Sequence, residues 1–156
     1  MEHQKWETYL SICRKVETGG KNSDGNDNPV NLEKMREFIG YFQKYLPTST
    51  EGRATRVLAP GAVSDASLLV EVGYETHALV LGPDNVKWLE DRRRQMSRPE
   101  LLIVREQDGH DLDYPRGFFD GYFTVQVHEH WIAPLIHIGE VRYCSRDGAV
   151  AFVDSC

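Results

Sequence analysis

The residues best equipped for chemistry in this sequence are its histidines, a few aspartates and one glycine turn. "VQVHEHW" sets His128 and His130 two apart, on one face if an extended strand runs that far. With His110 or His137 the pair could hold a metal ion, as a metal-dependent hydrolase would require. No C-x-x-C or H-E-x-x-H spacing supports that use, and Cys13, Cys144 and Cys156 share no ligand spacing, so no metal is assigned. Packing or capping is the competing role for these histidines. A different chemistry is written in "RVLAPGAVSDASLLVEVGYETHALVLGPDN", residues 56–85. There an apolar strand runs into a small-residue turn at Gly61, then a helix, a Gly-Tyr stop and a second apolar strand. A glycine after a strand lets backbone approach a ligand closely, and the following helix offers free N–H groups.

Those residues need a frame. Trp6, Tyr9, Leu10, Cys13 and Val16 fall at helical spacing and predict an amphipathic first helix. "TGGKNSDGNDNP" is a polar loop, the only biased segment, at residues 18–29. A second helix starts near "NPVN", capped by Asn28 or Asn31, with Leu32, Met35, Phe38, Ile39, Phe42, Tyr45 and Leu46 on its apolar face; Pro47 ends it. After Arg53 the texture changes to short apolar runs. Strands are expected at Arg56–Ala59, Thr76–Leu81, Leu101–Arg105, Phe119–Val125 and Ala149–Val153. Helices are expected near Asp65–Val72, Pro83–Met96 and Trp131–Tyr143, with Gly73 as a terminator and Pro83 in a first turn. "LLIV" and "AVAFV" read as strands buried on both faces, and the alternation predicts a mostly parallel five-stranded sheet with right-handed crossovers. The expected organisation is one domain over residues 1–156, with 1–50 a helical N-terminal extension and 55–156 the α/β core.

The second half carries a series of signals: Asp108, "DLDYP", Phe119-Asp120, His130, "EVRY" and "RDGAVAF", in that order over about fifty residues. This order resembles the class I S-adenosylmethionine-dependent methyltransferases, most closely the small-molecule branch with a compact Rossmann-like core. The resemblance implies a three-layer Rossmann-like core and S-adenosylmethionine as cofactor, held outside the carboxyl ends of the strands. It places Ala59, Pro60, Gly61 and Ala62 in the glycine turn and Val80, Leu81 and Gly82 at the ribose. Asp108 and Gly109 fall at the adenine, and Val125 and Gln126 line the methyl-donor end. His130 becomes the catalytic candidate, a loop residue near the transferred methyl that orients an acceptor or acts as a base. The aromatic set Tyr9, Phe38, Phe42 and Tyr45 could cover an acceptor pocket or simply pack in the core.

The chain departs from the family pattern inside that turn. The acid before it is Ala59, only Gly61 of the G-x-G-x-G remains, and Val63 and Asp65 take the other two positions. The ribose acid falls on Val80. Losing a bidentate pair weakens affinity by roughly ten-fold to several hundred-fold, from about 1.5–3 kcal/mol per charged hydrogen bond. Asp65 reads as the cap of its helix, or as a carboxylate facing the amino group of a bound amino-acid moiety. Asp84 could replace the lost ribose acid, or be a surface acid in a first helical turn.

Composition bounds the partners. Eighteen Lys and Arg against 24 Asp and Glu leave a net charge of −6, which argues against a broad nucleic-acid grip. Arg92, Arg93, Arg94 and Arg98 are the concentrated basic run, and a solvated helix face accounts for them. No stretch approaches the roughly 20 apolar residues of a membrane span, "MEHQKWETYL" has no export core, and an odd count of 3 cysteines argues against a disulfide framework. A cytoplasmic setting is expected. Three functions are therefore carried forward: a methyltransferase acting on a small molecule or protein, a non-catalytic protein of that fold used for binding or assembly, and a metal-dependent hydrolase. The sheet ends at Ala149–Val153, so an uncovered edge and face predict a homodimer or hetero-complex through Val141–Cys156, or cover by the N-terminal helices within one chain.

Overall fold

The computed structural model describes residues 29–61, 63–125 and 133–154. The expected first helix, Ala62, Gln126, His128, His130, Cys13 and Cys156 lie outside the described residues.

Helix α1 (Pro29–Tyr45) comes first, followed by a small antiparallel hairpin, β1 (Ser49–Thr50) and β2 (Arg53–Ala54). The core alternates strand and helix: β3 (Arg56–Pro60), α2 (Val63–Val72), β4 (Glu75–Val80), α3 (Pro83–Arg93), β5 (Leu102–Glu106), β6 (Phe119–Val125), α4 (Pro134–Cys144) and β7 (Ser145–Asp154). The five core strands pair in the order β5-β4-β3-β6-β7, and every pairing is parallel. The expected three-layer arrangement is therefore present.

The apolar runs produce it because successive residues of a strand face opposite ways and, for β3, β4 and β6, both sides are covered. "AVAFV" of β7, expected to be buried on both faces, is instead an edge strand with no fully buried residue. Val57 and Ala59 pack with Ile39, Phe42 and Leu46 of α1 and its end, Leu68 and Leu69 of α2, and Tyr74 and Phe123. Ala78, Val80 and Leu102 meet Ala66 and Val70 of α2 and Leu89 of α3. The alternate residues Leu58, Leu79 and Tyr122 face the other layer, where Cys144 of α4 joins Leu112 and Tyr114 from the loop before β6. Gly73 stops α2 with φ 110°, its N–H donating to Val70 O (3.0 Å) while the Tyr74 N–H reaches Leu69 O (3.1 Å).

Two further expectations are corrected, and one element was not foreseen. Asn31 does not cap α1, which already includes Pro29 and Val30. Tyr45 is 75% exposed. It shares a stripe with Tyr41, one turn back and also exposed, so the buried face is the narrower line of Ile39, Phe42 and Leu46. The β1–β2 hairpin has no apolar alternation to announce it. Its signal is the Glu51-Gly52 pair, both left-handed (φ 54° and 78°), as a two-residue hairpin turn requires.

Candidate functional site

From β3 the chain builds outward through β4 and β5, then crosses back to place β6 on the other side of β3. That reversal opens a crevice at the carboxyl ends of the strands. On its floor, Ala59 is fully buried and Pro60 ends β3. Gly61 follows with φ 65°, donating its N–H to Leu79 O at 2.8 Å. Helix α2 begins at Val63, two residues earlier than expected, so Asp65 sits inside the first turn and is not its cap. Asp65 is only 7% exposed. Burial pushes its carboxyl up to about 7, against the pull of a hydrogen bond from its own N–H.

The end of β4 carries no acid. Val80 is 2% exposed and belongs to the core with Ala66, Val70 and Leu89. Leu81 and Gly82 follow, half-buried, and Asp84 is exposed in the first turn of α3. The carboxylate at this level comes from the neighbouring strand. Glu106 is the register partner of Val80, and its Oε1 accepts the Gly82 N–H at 3.1 Å. Sequence reading missed Glu106, whose only signal is that it closes the run "LLIVRE".

The loop after β5 is the most tightly built part of the site. Gln107 donates its N–H to Val80 O (3.2 Å) and its side-chain amide to Asp111 O (3.0 Å). Asp108 Oδ1 accepts from the His110 N–H (2.9 Å) and from His110 Nδ1 (2.7 Å). Asp108 Oδ2 and Gln107 Oε1 are buried and have no hydrogen-bond partner among the described residues. Buried polar atoms are seldom left so.

Helix α4 clamps this loop from the far side. His137, fully buried, lies 2.7 Å from Gly109 O through Nδ1 and 2.7 Å from the Tyr122 hydroxyl through Nε2. A carbonyl can only accept, so Nδ1 carries the proton and Tyr122 O–H donates to Nε2. Glu140, the acid of "EVRY", accepts the Leu112 N–H at 3.1 Å. Both α4 residues thus position the segment that carries Asp108. His110 and His137 come within 6.5 Å ring to ring, yet both His137 nitrogens are engaged as described. Among the described residues no group of three or more His, Cys, Asp or Glu is placed to hold a metal.

His77 belongs elsewhere. It is buried on the α4 side of β4, between Glu75 Oε1 (3.0 Å) and the Tyr114 hydroxyl (3.1 Å), and Arg56 shares that carboxylate at 3.1 Å. Burial, outweighing the opposing pull of Glu75, holds its imidazole below the ordinary range. Phe42 packs on Tyr74 and Phe123, and Phe38 on Phe152 at 5.3 Å, so these aromatics serve the core and the β7 face. Of the expected cofactor residues, the structure gathers Ala59, Pro60, Gly61, Val80, Leu81, Gly82, Asp108, Gly109 and Val125 at one end of the sheet.

No protein-family model matches the sequence, and no curated protein does. Solved structures do match. The [4+2]-cyclase SpnF superposes with a TM-score of 0.77 and 15% identity, over 93% of this chain and 59% of that one. The glycopeptide N-methyltransferase MtfA, complexed with S-adenosyl-L-methionine, gives 0.62 and 16%, over 76% and 53%. A SAM-dependent methyltransferase from Aquifex aeolicus gives 0.66 and 15%, over 81% and 66%. The matched part spans about half to two thirds of those chains. A likeness at such identity is one of fold. The chain has the three-layer Rossmann-like fold of the class I methyltransferases.

Proposed function

We propose that this chain binds S-adenosylmethionine across the carboxyl ends of β3, β4, β5 and β6 and acts as a methyltransferase on a small-molecule or protein acceptor. The observation that carries this reading is Asp108 Oδ2, a buried acceptor without a hydrogen bond among the described residues. Leaving such an atom unpaired costs about 1–3 kcal/mol or more, and an exocyclic amino group would satisfy it. Asp108, Gln107 and Gly109 would take the adenine. Gly61 and Gly82, with the Glu106 carboxylate beside Gly82, would meet the ribose, and Ala59, Pro60, Leu81, Val125 and Gln126 would line the rest. The residues present fit the adenine end. At Val80 and Ala59 they offer apolar surface where the family has acids.

When bound, the cofactor supplies a methyl group on a positively charged sulfur, which an acceptor nucleophile takes as the S–CH3 bond breaks. The chain's part is alignment and exclusion of water, so no dedicated nucleophile is needed. His130 is proposed to orient the acceptor or receive its proton. Calorimetric titration with S-adenosylmethionine and S-adenosylhomocysteine tests the reading. Saturable binding is expected, weakened about ten-fold or more by Asp108→Asn, whose amide would turn a donor toward the adenine amino group. Absence of heat with both ligands at millimolar concentration would sink it.

A second reading, the same fold used for binding or assembly without methyl transfer, is favoured by the apolar Ala59 and Val80 and by the cyclase among the matched structures. The same titration separates the two readings. A metal-dependent hydrolase stands third and would show as stoichiometric metal in the purified protein.

We also propose a single-domain chain, cytoplasmic, that assembles through its β7 side. Strand β7 is the sheet edge, Val153 is half exposed, and Leu135, Ile136 and Ile138 of α4 are exposed nearby in sequence. Phe38 of α1 covers Phe152, so α1 already shields part of that face. Light scattering at low micromolar concentration should give a dimer; a monomer of 17.9 kDa would refute the homodimer. No described helix is long and apolar enough to cross a membrane.

A further inference from the structure

Far from the crevice, where β6 and β7 begin, Arg116, Arg142, Tyr143, Arg146 and Asp147 surround a cleft of about 540 Å³. Three guanidinium groups face one carboxylate there, on a chain whose net charge is −6. The arginines come from separate segments held together. Gly117, next to Arg116, donates its N–H to Tyr143 O (3.2 Å) at the end of α4, and Ser145 Oγ donates to Val141 O (2.6 Å) at the start of β7.

Arg146 also reaches a second carboxylate, Asp120, which is engaged elsewhere. Asp120 is fully buried, and its oxygens take Arg53 Nη1 (2.6 Å), Arg53 Nη2 (3.0 Å) and the Arg56 N–H (2.8 Å). Arg146 Nε lies 2.9 Å from Asp120 Oδ1 in ion-pair contact, yet it is buried without a hydrogen bond among the described residues. Its other ion pair, to the exposed Glu51, is long at 3.8 Å. Arg142 meets Asp147 at 3.3 Å with side chains 71% and 97% exposed, a contact worth little in water. Arg116 makes no ion pair among the described residues. The cleft therefore gathers positive charge that its own carboxylates do not neutralise, with N–H groups to spare.

We propose that this cleft binds a small molecule bearing at least two phosphoryl groups, bridged by Arg116, Arg142 and Arg146. The planar guanidinium fork matches phosphate oxygens two at a time, which a single ammonium does not. The cleft is roomy enough for more than one such group. Arg146, held against Asp120, is the anchored member, and Arg116 and Arg142 are free to turn toward a ligand. The site is distinct from the crevice: it lies at the amino ends of β6 and β7, whereas Asp108 follows the carboxyl end of β5.

Inorganic pyrophosphate is the probe, titrated at low salt into the full chain and followed by backbone amide shifts. Saturable shifts are expected at residues 116–117 and 142–147, with affinity about ten-fold weaker in Arg116→Gln and in Arg142→Gln. Both side chains are exposed, so neither change should cost the fold. Arg94→Gln, at the C-cap of α3, serves as the control and should bind as the unaltered chain does. No saturation at millimolar pyrophosphate, or equal affinity in all three variants, would overturn the proposal. Citrate binding as tightly as pyrophosphate would overturn the phosphoryl assignment.

Discussion

Asp65, which the sequence resemblance sets at a glycine position, is with Asp120 one of the two buried acids among the described residues. In the fold it holds its proton up to about 7, whereas the unfolded chain releases it near 3.8. Between those values the folded state binds more protons than the unfolded one, so stability falls as pH rises through that window and the cost is complete above it. Asp65→Asn removes the cost. Urea unfolding should show the variant more stable by about 2–4 kcal/mol at pH 8, from about 1.4 kcal/mol per unit, and unchanged near pH 4. An equal change at both pH values would show that the carboxyl does not titrate across the interval. Of the candidate site, sequence displayed the parts that depend on local order: Gly61 after its strand and Asp108 before "DLDYP". Glu106, His137 and Glu140 were hidden because their roles come from register and from a helix folding back over a distant loop. No spacing in the chain encodes such partners. Val80 shows the reverse case: the resemblance set it at the ribose, whereas the structure buries it in the core with Ala66, Val70 and Leu89.

The central strands and the helices were legible for a plain reason: each is an apolar run with a buried face, and burial imposes periodicity on sequence. Strand β7, an edge strand without a fully buried residue, was found by its apolar composition alone. Phe119–Val125 has the bounds expected of it, and the other core strands shift by a residue or a few at their ends, where pairing and not periodicity decides the limit. The docking of α1 could not be read that way, because it depends on one missing side chain. A Cβ at Gly121, on β6, would lie 2.5 Å from Leu46 Cδ2 and 2.8 Å from Phe42 Cζ. Gly121→Ala therefore forces α1 away from the sheet or its side chains out of their rotamers. Overpacking of this kind costs about 1–3 kcal/mol, which should appear as a lower urea midpoint with an unchanged slope. An unaltered midpoint would mean that α1 is held by its contacts with α2 and β7 alone.

The core of the molecule is one five-stranded parallel sheet, yet its strands are not joined evenly. The pairing of β3 with β6 is registered over two residue pairs, Val57 with Gly121 and Leu58 with Tyr122. Five pairs join β3 to β4 and five join β4 to β5, while six join β6 to β7. The seam is at the middle of the sheet, where the crevice opens, and the Arg53–Asp120 ion pair crosses it at the amino end. The expected consequence is that β3–β4–β5 and β6–α4–β7 open as two units, although Val57 and Ala59 pack with Phe123 across the junction. Native-state hydrogen exchange should then find the β6 and β7 amides opening together at a free energy below that of β3 and β4. Asp120→Asn should lower the first value and leave the second in place. A ligand spanning β3 and β6 would slow exchange across both strands at once, so the same short seam that leaves room for a ligand makes that ligand the fastener of the sheet.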